Sequence, residues 1–401
     1  MNYQADITIV GGGMAGAVLA LALAKETSWD IALVDASATG EPAGDSLVVG
    51  SRVVALNEAS IDWLDALGVW QGLKPTHSCP YQKMVVWDGE GTGEVEFDAA
   101  AEHQEQLGAI VENDHLVAEL WRALRATGRI HEVTADAVSE VFFADGDDRH
   151  SLLLRSGARI KTALIVAADG AESFIRKTAG LDTTEKDYGH SALVATVETE
   201  LAHEGMALQR FSQSGPLAFL PLPSVEGKHY SAIVWSQQQG VAQELHALSD
   251  ADFTLRLERA IERRLGNVLA VHHRATHPLK ERHAQSYYRD GLVLIGDAAH
   301  TLHPLAGQGV NLGFADAKAL VVELQRAQMR GLALAEPSIL ARYQRQRRVH
   351  NATAIKAMSA FKLLFEAKNP MAGLLRNEGM RLFNQMPWLK RQAIKVAQGS
   401  L

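Results

Sequence analysis

The chain has 401 residues, 47% of them apolar and 21% charged, which is material for more than one core and excludes disordered, collagen-like and fibrous classes. Its single cysteine, Cys79, rules out a disulfide framework, a paired-thiol redox site and a thiolate zinc site, and fits a reducing cytoplasm. The net charge of −8 is uneven: residues 341–401 carry 12 Lys and Arg against 2 Asp and Glu, so an acidic body ill suited to nucleic acid precedes a basic tail suited to an anionic surface or an acidic partner.

The N-terminus lacks the basic segment of a secretory signal, and no apolar run is long enough to span a bilayer. The expected location is cytoplasmic, free or peripheral to the inner face of the membrane. Residues 6–10 form a β-branched run that passes into Gly11-Gly-Gly-Met-Ala-Gly16 and an Ala/Leu-rich stretch, which reads as strand, tight turn and helix. A second strand is expected at 31–34, ending at Asp35. The runs 163–168 and 292–295 read as strands buried on both faces of a parallel sheet. Between them, 81–98 and 191–236 alternate and are broken by Gly and Pro, which predicts antiparallel strands of an inserted second sheet. From Pro337 the pattern is helical, with Ile355, Met358, Phe361 and Phe365 on one face. No fixed-period repeat or low-complexity segment interrupts this order.

Three elements carry chemistry. In Gly11-x-Gly13-x-x-Gly16 the glycines permit a tight turn, close approach of a pyrophosphate and helix–strand packing, while the helix start offers N–H groups to phosphate. Met14 and Ala15 belong to the same turn. Asp35, 24 residues after Gly11, is placed to accept from ribose hydroxyls. The second element is Gly296-Asp-Ala-Ala-His300 followed by Pro304-Leu-Ala-Gly-Gln-Gly-Val-Asn-Leu-Gly313. There Asp297 can hold a ribityl hydroxyl, and the Gly307/Gly309 loop with Val310, Asn311 and Leu312 can direct backbone N–H groups and a helix dipole at a flavin ring. The third is Asp169-Gly170 after a strand; Arg176 ties this loop down or meets a pyridine nucleotide, and Asp169 as a helix cap is the plainer alternative.

In this order and spacing the three elements resemble the FAD-dependent aromatic hydroxylases related to 4-hydroxybenzoate hydroxylase, and more closely the bacterial ubiquinone-biosynthesis hydroxylases. The resemblance extends over nearly the whole chain, including Arg52-Val-Val-Ala-Leu-Asn57, Ile110-Val-Glu-Asn-Asp114, Phe219-Leu-Pro-Leu222, Trp235 and Trp388-Leu-Lys-Arg-Gln-Ala-Ile394. It implies an α/β fold: a Rossmann-like FAD-binding domain with a parallel sheet (1–75, 105–180 and 280–345), an inserted mixed or antiparallel substrate domain (76–104 and 181–279) and a helical C-terminal region (346–401). It implies FAD contacts at Gly11, Gly13, Gly16, Asp35, Arg52, Asn113, Asp297 and the backbone of 307–312, with Asp169 and Gly170 serving FAD and the reducing nicotinamide. Asp35 stands where many relatives have Glu, and Glu172 where Asn is expected.

The implied reaction is a flavin monooxygenation: NAD(P)H reduces FAD, and one atom of dioxygen enters the ring of a polyprenyl phenol or quinol, at ring carbon 5 by the resemblance of the segments around His190, Phe219, Trp235 and His303. Phe219, Trp235 and His303 are the candidate substrate contacts; no catalytic base is identifiable. A hydroxylase of a small soluble aromatic acid and a non-catalytic prenyl-group carrier are the alternatives, and a homo-oligomer is left open. The basic tail is a candidate contact with the membrane or a biosynthetic complex. Gly89-Glu-Gly-Thr-Gly93 lacks the strand-to-helix setting of a second nucleotide site, and His272, His273 and His277 lack the carboxylates of a metal centre, so no metal is expected.

Overall fold

The computed structural model describes residues 2–38, 52–144, 149–301, 309–366 and 370–397. Strand Asn2–Val10 pairs in parallel with Arg159–Ala167 on one side and Ile31–Val34 on the other. Leu292–Leu294 and Ile130–Val133 extend the sheet in parallel on its two sides, Tyr288–Arg289 adds antiparallel beyond Leu292–Leu294, and the hairpin Val138–Phe142/His150–Leu154 adds to Arg159–Ala167 antiparallel. The central strands are apolar on both faces because both faces are covered. Helix Met14–Glu26 is buried from Gly16 to Ala24. Its alanines let the helix lie close to the sheet while Asn113–Thr127 and Gly309–Met329 pack against it.

The second sheet runs His300–Thr301, Val268–Ala284, Thr183–Thr199, His229–Gln238, Leu217–Pro221, Met206–Phe211, Lys83–Asp88, Glu94–Asp98. All its neighbours are antiparallel except Met206–Phe211 with Lys83–Asp88. Its two longest strands, Thr183–Thr199 and Val268–Ala284, join the sheets: Thr183 pairs with Ala284, and Ala284 lies in the first core. A third, three-stranded sheet of Val53–Asn57, Gly108–Glu112 and Ser78–Tyr81 sits against the second through Ile110, Leu222, Tyr230 and Ala232.

The α/β class, the parallel first sheet and the largely antiparallel second sheet are those expected, and the apolar tail forms helices Pro337–Glu366, Pro370–Asn384 and Pro387–Ala397. The tail does not simply cover the first sheet. Tyr343 is buried in the first core, but Phe365 stacks on Phe211 of the second sheet with ring centroids 4.3 Å apart. A buried ion pair, Arg376 Nε to Asp88 Oδ2 at 2.7 Å, fixes the same contact. The run Gly89–Gly93 is the turn between two strands of the second sheet, where Asn377 Oδ1 accepts the Gly93 N–H at 2.7 Å. His272, His273 and His277 lie along one strand, and among the described residues no group of three or more His, Cys, Asp or Glu is placed to hold a metal ion. No helix among the described residues is long and apolar enough to cross a membrane.

Candidate functional site

The first glycine turn is built as its spacing requires. Gly11 has φ +107°, and a Cβ there would lie 2.3 Å from the Ala168 carbonyl oxygen; one on Gly16 would lie 1.8 Å from the Gly11 oxygen. A Cβ on Gly13, at the start of helix Met14–Glu26, would meet nothing within 4 Å. The turn is therefore closed by packing at Gly11 and Gly16 and open at Gly13, as a phosphate approaching the helix N-terminus needs. The intervening Gly12, unremarked in the sequence, is held from both sides. Its N–H donates to Asp35 Oδ2 at 2.5 Å, its carbonyl accepts from Trp121 Nε1 at 2.8 Å, and an added Cβ would lie 2.4 Å from the Trp121 ring.

Asp35 thus has a task the spacing did not reveal. Its carboxylate also accepts from the Ser37 N–H at 2.7 Å, so it braces the turn. Two N–H donors leave lone pairs on both oxygens, and a ribose contact remains compatible with them.

The Asp297 turn meets the first turn directly. Gly296 has φ +57°; a Cβ there would lie 3.2 Å from the Ala15 Cβ, and one on Gly313 would lie 3.5 Å from the same atom. Helix Gly309–Met329 begins beside this contact, so the starts of two helices converge on the Asp297 turn. Met14, Val310 and Leu312 lie in the first turns of these two helices. Asp297 is exposed although Gly296, Ala298, Ala299 and His300 around it are buried. The crowding protein raises its pKa from the ordinary carboxyl value and His300 opposes that rise.

Asn113 opens helix Asn113–Thr127, and its backbone N–H donates to the Arg52 carbonyl at 2.9 Å, which brings these two expected contacts together. The Asn113 Oδ1 is buried without a hydrogen-bond partner, a condition a ligand donor would relieve. Behind it, His77 Nδ1 and Glu112 Oε2 are 3.0 Å apart and buried, and His77 stacks on His115 at 4.0 Å. Burial, with the neighbouring His77, lowers the His115 pKa to about 4. The Asn311 side chain is committed within the protein: Oδ1 accepts from Asn57 N–H and Ser60 Oγ, and Nδ2 donates to the Ala55 carbonyl. Any flavin contact by Asn311 is therefore through its backbone.

In the Asp169 loop it is Ser173 that caps helix Phe174–Thr178, its Oγ accepting the Arg176 N–H at 3.0 Å, and Asp169 braces that cap. Asp169 accepts from Ser173 Oγ at 2.5 Å and the Ile175 N–H at 3.1 Å. Arg176 is buried and ties the loop to the Asp297 turn, donating to the carbonyls of Ala298 at 2.8 Å and Ala171 at 2.9 Å. Gly170, at φ +82°, has open space beside it. Hydrogen bonds from Lys177 and Arg282 draw the Glu172 pKa down to about 2, and Arg282 also binds Glu185 Oε1 at 2.8 Å. Glu172, unlike an Asn, links this loop electrostatically to the long strands.

Two of the three candidate substrate contacts, Phe219 and Trp235, lie in a core. Phe219 and Trp235 are buried among Leu245, Phe253 and Leu257, where helices Gln239–Ala247 and Asp250–Ala260 cover the second sheet. Strand alternation turns them away from the face that carries Leu220 and Ala232 and meets the third sheet. Their large rings are core packing. On the opposite face Ala218, Val234, Val194 and Ala275 lie in register across four strands and are only half-buried. This small apolar stripe was missed in the sequence because size drew attention to the adjacent aromatics; the alternation itself was the available signal. His303, Pro304 and Gly307 lie outside the described residues.

Residues 4–358 match the family model described as FAD binding domain, and the chain belongs to this family of FAD-dependent monooxygenases. Within it, the chain is 35% identical over 398 residues to 3-demethoxyubiquinol 3-hydroxylase of Escherichia coli (strain K12), with 99% of each chain covered. It is 34% identical to ubiquinone hydroxylase UbiL of Rhodospirillum rubrum, covering 99% of this chain and 90% of the relative. It is also 30% identical to the human mitochondrial ubiquinone biosynthesis monooxygenase COQ6, covering 98% and 92%. These matches place it in the ubiquinone-biosynthesis hydroxylase branch. The fold is shared with p-nitrophenol 4-monooxygenase PnpA of Pseudomonas putida, at a TM-score of 0.78 and 18% identity over 99% of this chain and 98% of that one. Pseudomonas aeruginosa PqsL shares it at 0.76 and 21%, covering 93% and 99%.

Proposed function

We propose that the protein hydroxylates the aromatic ring of a polyprenyl phenol or quinol in ubiquinone biosynthesis, with NAD(P)H as electron donor and dioxygen as oxygen source. The observation that carries this reading is the match, end to end, with the E. coli hydroxylase. FAD, when bound, supplies the redox chemistry. The residues present fit it: Gly13 leaves room at a helix start, Asn113 offers an unsatisfied buried oxygen, and Asp297 offers an exposed carboxyl acceptor where two helix starts converge. Asp35, Arg52 and the Asp169-Gly170 loop complete the proposed contacts, the last also on the nicotinamide side.

The stripe of Ala218, Val234, Val194 and Ala275 is the proposed wall of the substrate site, in the domain formed by 76–104 and 181–279. It carries no charge, which suits a prenylated phenol better than an aromatic acid. An apolar wall also keeps water from the reacting ring. For the ring position, the resemblance of sequence segments favours carbon 5. The name of the E. coli relative supports position 3, and two segments behind the carbon-5 reading contribute only core rings, Phe219 and Trp235.

Quinone profiling of a deletion strain decides the position, because the accumulated intermediate lacks the hydroxyl this enzyme adds. Purified protein supplied with labelled dioxygen should place one labelled atom in the ring; label arriving from water alone would exclude the mechanism. Asp297→Ala should weaken FAD binding by about 1.5–3 kcal/mol, the size of a charge-assisted hydrogen bond, as read by flavin fluorescence on the apoprotein.

A further inference from the structure

Asp316, in helix Gly309–Met329, is wholly buried. Its Oδ2 accepts from the Gly296 N–H at 3.1 Å and faces His300 Nε2 at 2.5 Å. Its Oδ1 accepts from Arg347 Nε at 2.6 Å and Asn351 Nδ2 at 3.1 Å. One oxygen therefore grips the two ends of the turn that carries Asp297, and the other grips helix Pro337–Glu366. The knot is extended on the second side: Arg347 Nη2 donates to Asn351 Oδ1 at 3.0 Å, Asn351 Nδ2 donates to the Tyr287 hydroxyl at 3.1 Å, and His283 Nε2 lies 2.8 Å from that hydroxyl. Strand pairing of His283 with His300 closes the circuit through the second sheet. Burial opposes ionisation of Asp316, but His300 and Arg347 outweigh it and bring its pKa down to about 2, so both oxygens act as acceptors and His300 Nε2–H donates.

We infer that Asp316 is a positioning residue for the cofactor: by holding Gly296 and His300 together it sets the Asp297 carboxylate in place, and by holding Arg347 and Asn351 it anchors that turn to the C-terminal helix. Asp316 itself touches no cofactor. Its position beneath the turn gives a buried carboxylate a use that stability alone does not require, since a buried charge network is a poor source of net stability against apolar packing. The inference rests on the reading of Asp297 as a flavin contact.

A double-mutant cycle tests it. FAD affinity is measured by flavin fluorescence on apoprotein of wild type, Asp297→Ala, Asp316→Asn and the double variant, with Tyr343→Phe as a control that removes another buried hydrogen bond in the same core, to the Leu294 carbonyl. Asp316→Asn should weaken FAD by about tenfold in the wild-type background, comparable to losing one charge-assisted hydrogen bond. In the Asp297→Ala background it should have less than about a twofold effect, because residues acting through one another are not additive. Tyr343→Phe should lower the melting temperature and leave FAD affinity unchanged. Additive losses, or a Tyr343→Phe loss equal to that of Asp316→Asn, would reduce Asp316 to a structural role. Unchanged affinity in Asp297→Ala would instead overturn the flavin reading of the turn, and the inference with it. If Asp316→Asn does not fold, Arg347→Gln takes its place in the cycle with the same expectations.

Discussion

The Trp121 indole donates to the Gly12 carbonyl at 2.8 Å, and the ring stands where a side chain on residue 12 would have to lie. Helix Asn113–Thr127 thereby braces the glycine turn from outside its own motif. Gly12→Ala should cost about 1–3 kcal/mol through overpacking and weaken FAD as the turn shifts. Trp121→Phe relieves the steric conflict but strands the carbonyl, a loss of about 1–3 kcal/mol. The double variant should recover part of the Gly12→Ala loss in melting temperature, and failure to recover any would show that the ring is not the obstacle.

Asp88 and Arg376 form a buried pair between the second sheet and the C-terminal helices, and Arg376 also donates to the Phe365 carbonyl at 3.1 Å. Removing one partner leaves the other charge buried and should cost about 3–5 kcal/mol. Arg376→Ala should therefore expose the tail to limited proteolysis at lower temperature than wild type. Cleavage patterns identical to wild type would contradict the anchoring role of this pair.

A buried histidine, His115, and a half-buried one, His283, set an acid limit on stability. The His115 pKa is lowered to about 4 by burial and His77, and the His283 pKa to about 4 by burial and His300. Both take a proton more readily when unfolded, so their contribution is intact above the ordinary histidine range and is lost as pH falls from about 6.5 toward 4. Each adds a slope of at most about 1.4 kcal/mol per pH unit, and partial exposure of His283 lowers its share. Denaturant titrations between pH 7 and 4.5 should show a shallower pH dependence in His115→Gln. An unchanged slope would exclude His115 from the limit.

The tail exposes Leu382, Met386 and Trp388, with Trp388 64% accessible, alongside Arg381, Lys390 and Arg391. If this face meets an anionic membrane, replacing the three cations with Gln should leave FAD content and melting temperature intact and abolish salt-sensitive binding to anionic vesicles. Trp388→Ser should weaken vesicle binding at all salt concentrations, since it removes the apolar part of the contact. Vesicle binding by the Gln variant equal to wild type in low salt would reject electrostatic docking through these residues.

Local rules were enough to read the strand–turn–helix of the first motif, the Asp297 turn, the helical tail and the division into two kinds of sheet, because glycine conformations and hydrophobic periodicity are written in neighbouring residues. Asp35 was legible as a carboxylate at a strand end, whereas Asn113 was implied only by the resemblance of its segment to the hydroxylase family. What the sequence could not show were contacts made across long separations. Trp121 meets Gly12 across 109 positions, Asp88 meets Arg376 across 288, and Asp316 gathers donors from residues 296, 300, 347 and 351. Nor could size distinguish wall from core in the second sheet: the register alone decided that Phe219 and Trp235 face the covering helices while Ala218 and Val234 face the other way. Side chains in a strand alternate faces with a period of two, and only the packing of other elements determines which face is filled.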